Sequence, residues 1–205
     1  MKINYFDLGL HKDAAEVDMF ISICDKNRLD YTVYGFEAHP EYCADLVEKY
    51  ADNEKVNIFN KAISNKNGTI DLYIAEKNEG EGNSIFKTKN NVNPKNFITV
   101  ESILFSDWIK KNVPGFETEN NILRFNIEGA EWYLINDLND NNMLKSFKIV
   151  LGSKTDIPKV KEISKNINKY EEILKQNKIV IKKFTKNKPR TNCELDVLIN
   201  KTFGQ

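Results

Sequence analysis

Arg124-Phe-Asn-Ile-Glu-Gly-Ala-Glu131 is the stretch whose reading decides the fold. Ile122 to Ile127 has the apolar character of a buried strand, and it passes directly into Glu128 and Glu131, set around Gly129. Trp132 to Leu138 then has helical spacing. A strand feeding a glycine turn and a helix is the repeating unit of an α/β sheet. Carboxylates at the carboxyl end of such a strand stand where open α/β sheets bind ligands. A turn serving the fold alone needs the glycine and one cap; it does not need both glutamates.

The same alternation extends on either side. Ile3 to Leu8 reads as a strand, and Asp13 as the cap of a helix to about Lys26, with Val17, Phe20, Ile21 and Cys24 on one face. Tyr31 to Phe36 is a second strand, followed by a helix opened by Pro40. Val56 to Ile63 is a third strand, and Asn67-Gly68 predicts a hairpin with Thr69 to Ile74 returning. Residues 75–96 form the longest expected loop, a length that in compact domains accompanies function. Ile98 to Ile103 is extended, Ser106 to Lys111 a helical turn, Pro114 to Asn120 a loop and Phe147 to Leu151 a strand. A long amphipathic helix is predicted over Pro158 to Gln176. Ile179 to Phe184 and Leu195 to Ile199 read as two last strands, too closely joined for a helical crossover and therefore antiparallel. The expected architecture is an α/β fold with a mostly parallel sheet covered on both faces.

The chain of 205 residues fits one domain spanning 1–205. Thirty basic residues balance thirty acidic ones, so no net field recruits nucleic acid or an acidic membrane. Cys24, Cys43 and Cys193 show no C-x-x-C spacing, which suits reduced thiols and a cytoplasmic setting. His11 and His39 are too few and too separated for a zinc site. No apolar run approaches the ~20 residues that span a bilayer, and the first residues lack a signal-peptide pattern.

Several residues invite chemistry, each beside a plainer role. Asp7-Leu-Gly9 is either an ordinary turn or one that lets backbone N–H groups approach a ligand. Glu37, ending the second strand, either accepts ribose hydroxyls or favours the dipole of the Pro40 helix. Asn60 to Ile63 are strand residues or neighbours of an adenine edge. Lys186, Lys188 and Arg190 form either a solvated basic hairpin or a contact for an anionic acceptor. Trp108 and Trp132 pack the flanking helices or stack on a sugar.

Read together, Asp7-Leu-Gly9, Phe36-Glu37-Ala-His-Pro40, Asn60-Lys-Ala62-Ile63 with Asn67-Gly68, Asn83-Ser84-Ile85 and Asn126-Ile-Glu-Gly-Ala-Glu131 follow the order seen in FkbM-type methyltransferases. The chain resembles that family over roughly residues 3–151, most specifically in F-E-x-x-P and E-G-x-E. The resemblance implies the class I fold that uses S-adenosylmethionine: a Rossmann-like three-layer sandwich with a seven-stranded sheet, order 3-2-1-4-5-7-6, its last strand antiparallel. It implies O-methyl transfer to a hydroxyl of a sugar, glycan or secondary metabolite. On that resemblance Asp7 and Gly9 line the methionine end of the cofactor and Glu37 holds its ribose. Asn60 and Ala62 lie near the adenine, Asn126 stands beside the sulfonium, and Ser84 falls in a substrate loop. Lys186 and Arg190 are further candidate substrate contacts. Removal of the acceptor proton needs a base; Glu128 is the first candidate, His11 the second, and Glu131 stands close by. The chain departs from the family pattern at Asp13, where a second glycine is usual, at Asn126, where aspartate is usual, and at His11. The departures at Asp13 and Asn126 motivate an alternative: a protein of this fold with weak or lost activity that binds the cofactor or a partner. A nicotinamide-dependent oxidoreductase needs a G-x-G-x-x-G run that the chain lacks.

Overall fold

The computed structural model describes residues 2–75, 82–182 and 189–203, with the backbone alone at 189–194. In chain order the elements are β1 (Lys2–Leu8), α1 (Ala15–Lys26), β2 (Asp30–Phe36), α2 (Pro40–Lys49), β3 (Val56–Phe59), β4 (Ala62–Ile63), β5 (Gly68–Ala75) and β6 (Val92–Ile103). They continue with α3 (Phe105–Asn112), β7 (Asn120–Phe125), α4 (Glu131–Asp140), β8 (Phe147–Gly152), α5 (Ile167–Gln176), β9 (Ile181–Lys182) and α6 (Pro189–Phe203).

β1 and β7 are buried along nearly their whole length, as strands covered on both faces must be. They lie at the centre of a parallel sheet with the order β3-β2-β1-β7-β8-β9. Alternate side chains feed two cores. Phe6, Leu8, Leu123, Phe125 and Val150 face one core together with α3, α4 and α5. Ile3, Tyr5, Ile122, Ile149 and Leu151 face the other with α1, α2 and α6. This two-residue period makes a three-layer α/β sandwich. Trp108 and Trp132 both belong to the first core, and Trp108 packs among Tyr34, Phe36 and Phe59. A second sheet, order β4-β6-β5, flanks the carboxyl end of β2.

Several expectations are corrected. The run Val56 to Ile63 is two strands in different sheets, because the chain turns at Lys61, whose N–H donates to Phe59 O at 3.0 Å. Asn67-Gly68 does not close a hairpin between neighbouring strands. β5 pairs antiparallel with β6 instead, and Asn67 accepts from the Leu104 N–H (2.9 Å) at the start of α3. β6 begins at Val92 and so takes up part of the expected loop. Asp13 does not cap α1: Ala14 occupies that position in the left-handed region (φ 46°), with no side-chain cap. Residues 158–176 are not one helix. Buried Ile157, Val160 and Ile163 recur every third residue, the period of the 3-10 turns found there, and α5 begins only at Ile167.

The largest difference concerns the end of the chain. The segment 195–199 is part of α6, so among the described residues no antiparallel strand completes a seven-stranded sheet with order 3-2-1-4-5-7-6. The main sheet has six strands, and β9 runs parallel to β8. Leu195, Ile199 and Phe203 are all buried, at intervals of four, and seat α6 against α1. Lys26 and Asp196 join the two helices at 2.6 Å, and the Lys26 contact draws the Asp196 carboxyl below its ordinary range.

The helix and strand readings of this segment make different demands. A strand places 195, 197 and 199 on one face; the helix buries Ile199 completely and leaves Val197 65% exposed. Ile199→Ala is therefore expected to destabilise the protein by about 2–5 kcal/mol, and Val197→Ala by about 0.5 kcal/mol or less. Urea unfolding of both variants measures the contrast; equal losses contradict the helix.

Candidate functional site

Strand order reverses between β1 and β7, and in open α/β sheets ligands bind outside the carboxyl ends at this switch. A cavity of about 290 Å³ opens there, its wall including Gly9, His11, Glu37, Ala62, Asn126 and Glu128. The strand ends are stitched together. Gly9 N–H donates to Phe36 O (2.9 Å) and Asn126 N–H to Leu8 O (2.9 Å). Gly9 has φ 87°, and a Cβ there would stand 2.2 Å from Asn126 O. Only glycine permits this close approach of the two chains.

Glu37 is buried at the end of β2. Its Oε2 accepts from the His11 N–H and its Oε1 from the His39 N–H, both at 2.8 Å. Burial raises its pKa, and these backbone bonds oppose the rise. The His11 ring nitrogens are buried without a hydrogen-bond partner, and the ring meets Tyr42 edge-on at 5.7 Å. His11 thus stands on the Glu37 side of the cavity. Ala62 is buried in the wall. Asn60 lies behind it, donating to Glu37 O and Ala38 O at 2.9 and 3.0 Å, and so fixes the turn that carries Glu37.

Asp7 is fully buried beneath the cavity. Its Oδ1 accepts from Arg124 Nη1 at 2.8 Å and its Oδ2 from the Tyr5 hydroxyl at 3.1 Å. Arg124 also donates to Gly9 O (2.8 Å) and lies 3.2 Å from Glu16 Oε1. Burial pushes the Asp7 carboxyl up to about 6, against the pull of Arg124. Burial alone would lower the Arg124 pKa, but the Asp7 and Glu16 carboxylates outweigh it and hold the guanidinium charged. Sequence reasoning overlooked Arg124 and Glu16 as wall residues. One signal was present: a cation in the apolar strand Ile122-Leu-Arg-Phe needs a buried partner.

Across the cavity, Glu128 holds the left-handed conformation (φ 54°). Its backbone O accepts from the Ser84 hydroxyl at 2.7 Å, and Ser84 is itself buried. The Glu128 carboxylate pairs with Lys89, whose side chain is 3% exposed and lies 3.7 Å from Asp156. Lys89 belongs to the segment 75–96, where the sequence predicts a loop. A second cavity of about 270 Å³, lined by Lys89, Asn91, Asp156 and Lys159, shares Gly82 and Glu128 with the first. Glu131 stands outside both. Fully buried, it accepts from the N–H groups of Ile127 (3.1 Å) and Gly129 (2.7 Å), so it clamps the turn that presents Glu128. Lys186 and Lys188 lie outside the described residues. Arg190 is in the first turn of α6 instead of a hairpin. Cys24 and Cys43 are free and buried. Among the described residues no helix is long and apolar enough to cross a membrane.

Burial pushes Glu131 up to about 7 from the ordinary 4.5, with Asp156 and Glu128 adding to the rise. A carboxyl raised on folding stabilises fully below its unfolded pKa and loses that contribution as pH rises through the folded value. Stability is therefore expected to fall between pH 5 and pH 8. Glu131→Gln, uncharged throughout, is expected to make that decline shallower by on the order of 2 kcal/mol in urea unfolding. An unchanged decline contradicts the assignment.

No family profile matches the chain, and no curated protein matches it. A solved structure with a similar course of chain is methyltransferase FkbM from Methylobacillus flagellatus KT, at 11% identity and a TM-score of 0.47. The match covers 84% of this chain and 36% of that one, so this chain spans well under half of that protein's length.

Proposed function

We propose that the cavity at the strand reversal binds S-adenosylmethionine, and that the chain is an O-methyltransferase acting on a hydroxyl of a sugar, glycan or secondary metabolite. The observation that carries this reading is Glu37. Its oxygens accept from backbone N–H groups, those of His11 and His39 among them, and the carboxylate lies in the cavity wall, where its remaining acceptor capacity suits the two vicinal hydroxyls of a ribose. Other features fit the same ligand. The His11 ring nitrogens lack a hydrogen-bond partner, with Asp13 Oδ1 no nearer than 3.7 Å, and so suit a polar group of the ligand. Arg124 and Glu16, of opposite charge on one wall, suit a zwitterionic amino-acid end.

When bound, the cofactor supplies a methyl group already activated on a sulfonium. The protein must then align an acceptor oxygen and remove its proton. Glu128 stands where the two cavities meet, so an acceptor held in the second presents its hydroxyl at that carboxylate. Lys89 fixes the carboxylate, and Glu131 and Ser84 fix the turn beneath it. Glu128 is thus the proton acceptor in this scheme. His11, beside Glu37, orients the ribose, and Asn126, exposed on the wall, offers its amide near the methionine end.

A second reading, binding without turnover, is favoured by one observation: the Glu128 carboxylate is already engaged by Lys89. Tritium transfer from methyl-labelled cofactor into polysaccharide and glycolipid pools separates the two. Binding with no transfer into any pool selects the second.

Glu37→Ala is expected to weaken cofactor binding by roughly 1–3 kcal/mol, the scale of lost hydrogen bonds to a charged group. Calorimetry measures it, and an unchanged affinity removes the ribose assignment. Glu128→Gln is expected to abolish tritium transfer while cofactor affinity stays within about twofold; transfer at the parental rate rules Glu128 out as the base.

A further inference from the structure

We infer that this cavity prefers the cationic cofactor to its neutral demethylated product, S-adenosylhomocysteine, and that Glu16, through the Asp7–Arg124–Glu16 cluster, sets the preference. The inference rests on the cofactor reading above and concerns how the site sheds its product.

The charges around the cavity do not cancel. Lys61 pairs with Glu101 and Glu128 with Lys89, so those contributions close on themselves. Asp13, 3.7 Å from His11 Nδ1, has a side chain 45% exposed, so water screens its charge. Two buried sites of negative charge remain. Arg124 divides a single positive charge between Asp7 at 2.8 Å and Glu16 at 3.2 Å, leaving the cluster with one carboxylate in excess. All three side chains are at least nine-tenths buried, so water screens that excess poorly. Glu37 is the other: it accepts from neutral backbone N–H groups, those of His11 and His39 among them. Burial raises the pKa of Asp7, with Glu16 pushing the same way against Arg124, as expected where negative charge exceeds positive.

The two sites flank one stretch of chain. The Gly9 carbonyl accepts from Arg124, and the N–H of His11, two residues on, binds Glu37. In the cofactor, sulfur is one carbon from the ribose and leads into the amino-acid chain. A ribose on Glu37 with its amino-acid end toward Arg124 therefore places sulfur between the two excess charges. Loss of the methyl group turns the sulfonium into a neutral thioether. The attraction vanishes in the same step, while the ribose and amino-acid contacts are unchanged. Electrostatics thus work against retention of the product.

Calorimetry of the full chain at fixed pH and salt, with S-adenosylmethionine and S-adenosylhomocysteine as separate titrants, tests this. The cationic ligand is expected to bind about tenfold or more tightly than the neutral one, the scale of one charge contact away from bulk water. Glu16→Gln keeps the side chain's shape and removes its charge. It is expected to weaken both ligands through their shared ammonium group and the cationic one further through its sulfonium, which brings the ratio toward one. Equal or tighter binding of the product by the parent protein overturns the inference, and an unchanged ratio in Glu16→Gln overturns the role of Glu16. Sinefungin, which carries an amine-bearing carbon in place of sulfur, gives a second measurement needing no variant. It is expected to group with the cationic ligand, and grouping with the product overturns the inference. Failure of all three ligands to bind overturns the cofactor reading itself.

Discussion

A guanidinium buried under the centre of a parallel sheet constrains everything around it. Arg124 holds Asp7 on the neighbouring strand, the Gly9 carbonyl at the first turn and Glu16 on the first helix. Removing one partner of such a group leaves an uncompensated charge in a medium that solvates it poorly, so β1, β7 and α1 are locked in mutual position. The lock lies where strand order reverses, which is also where the cavity opens. Asp7, which the family resemblance sets at the methionine end of a cofactor, has its carboxylate committed to Arg124 and Tyr5. The polar surface it might have offered passes to Arg124 and Glu16, both of which reach the wall.

The second constraint is the turn after β7. Glu128 sits at positive φ without being glycine, a conformation that costs energy and persists only where surrounding contacts determine it. Those contacts are specific. Glu131 accepts from two N–H groups of the turn, Ser84 donates to the Glu128 carbonyl, and Lys89 binds its carboxylate. Gly129 leaves no room for a side chain, since a Cβ there would meet Val160 at 2.9 Å. The two glutamates of the opening stretch therefore divide their labour. Glu131 is the clamp, and Glu128 is the group it holds out between the two cavities.

The legible part of this protein was local. Strand and helix alternation, the Gly9 turn and the carboxylate ending β2 follow from spacing and residue type within short windows. What escaped required distance or tertiary choice. Asp7 and Arg124 are 117 residues apart, and no periodicity links them. Lys89 lay in a polar run whose letters resemble any solvated loop, yet it folds into the interior against Glu128. Leu195 to Ile199 is short and apolar, a length at which strand and helix periods are hard to separate. Packing on α1 decided for the helix, with Phe203 completing an apolar stripe that a five-residue window cuts short. The split of β3 from β4 depended likewise on a partner, β6, far along the chain.

These two constraints also fix the chemical asymmetry of the site. On one side, the Arg124 cluster and Glu37 leave negative charge unbalanced beneath a closely packed turn. On the other, Glu128 and Lys89 balance each other at the mouth of a polar cavity. A cationic ligand gains from the first environment, whereas an uncharged polyhydroxyl compound suits the second, where ammonium, amide and carboxylate groups supply both donors and acceptors. An added anion in the second cavity would find its cations already engaged and would bear the desolvation penalty without full compensation. The division of charge therefore argues for two different occupants in the two cavities, meeting at the one carboxylate common to both walls.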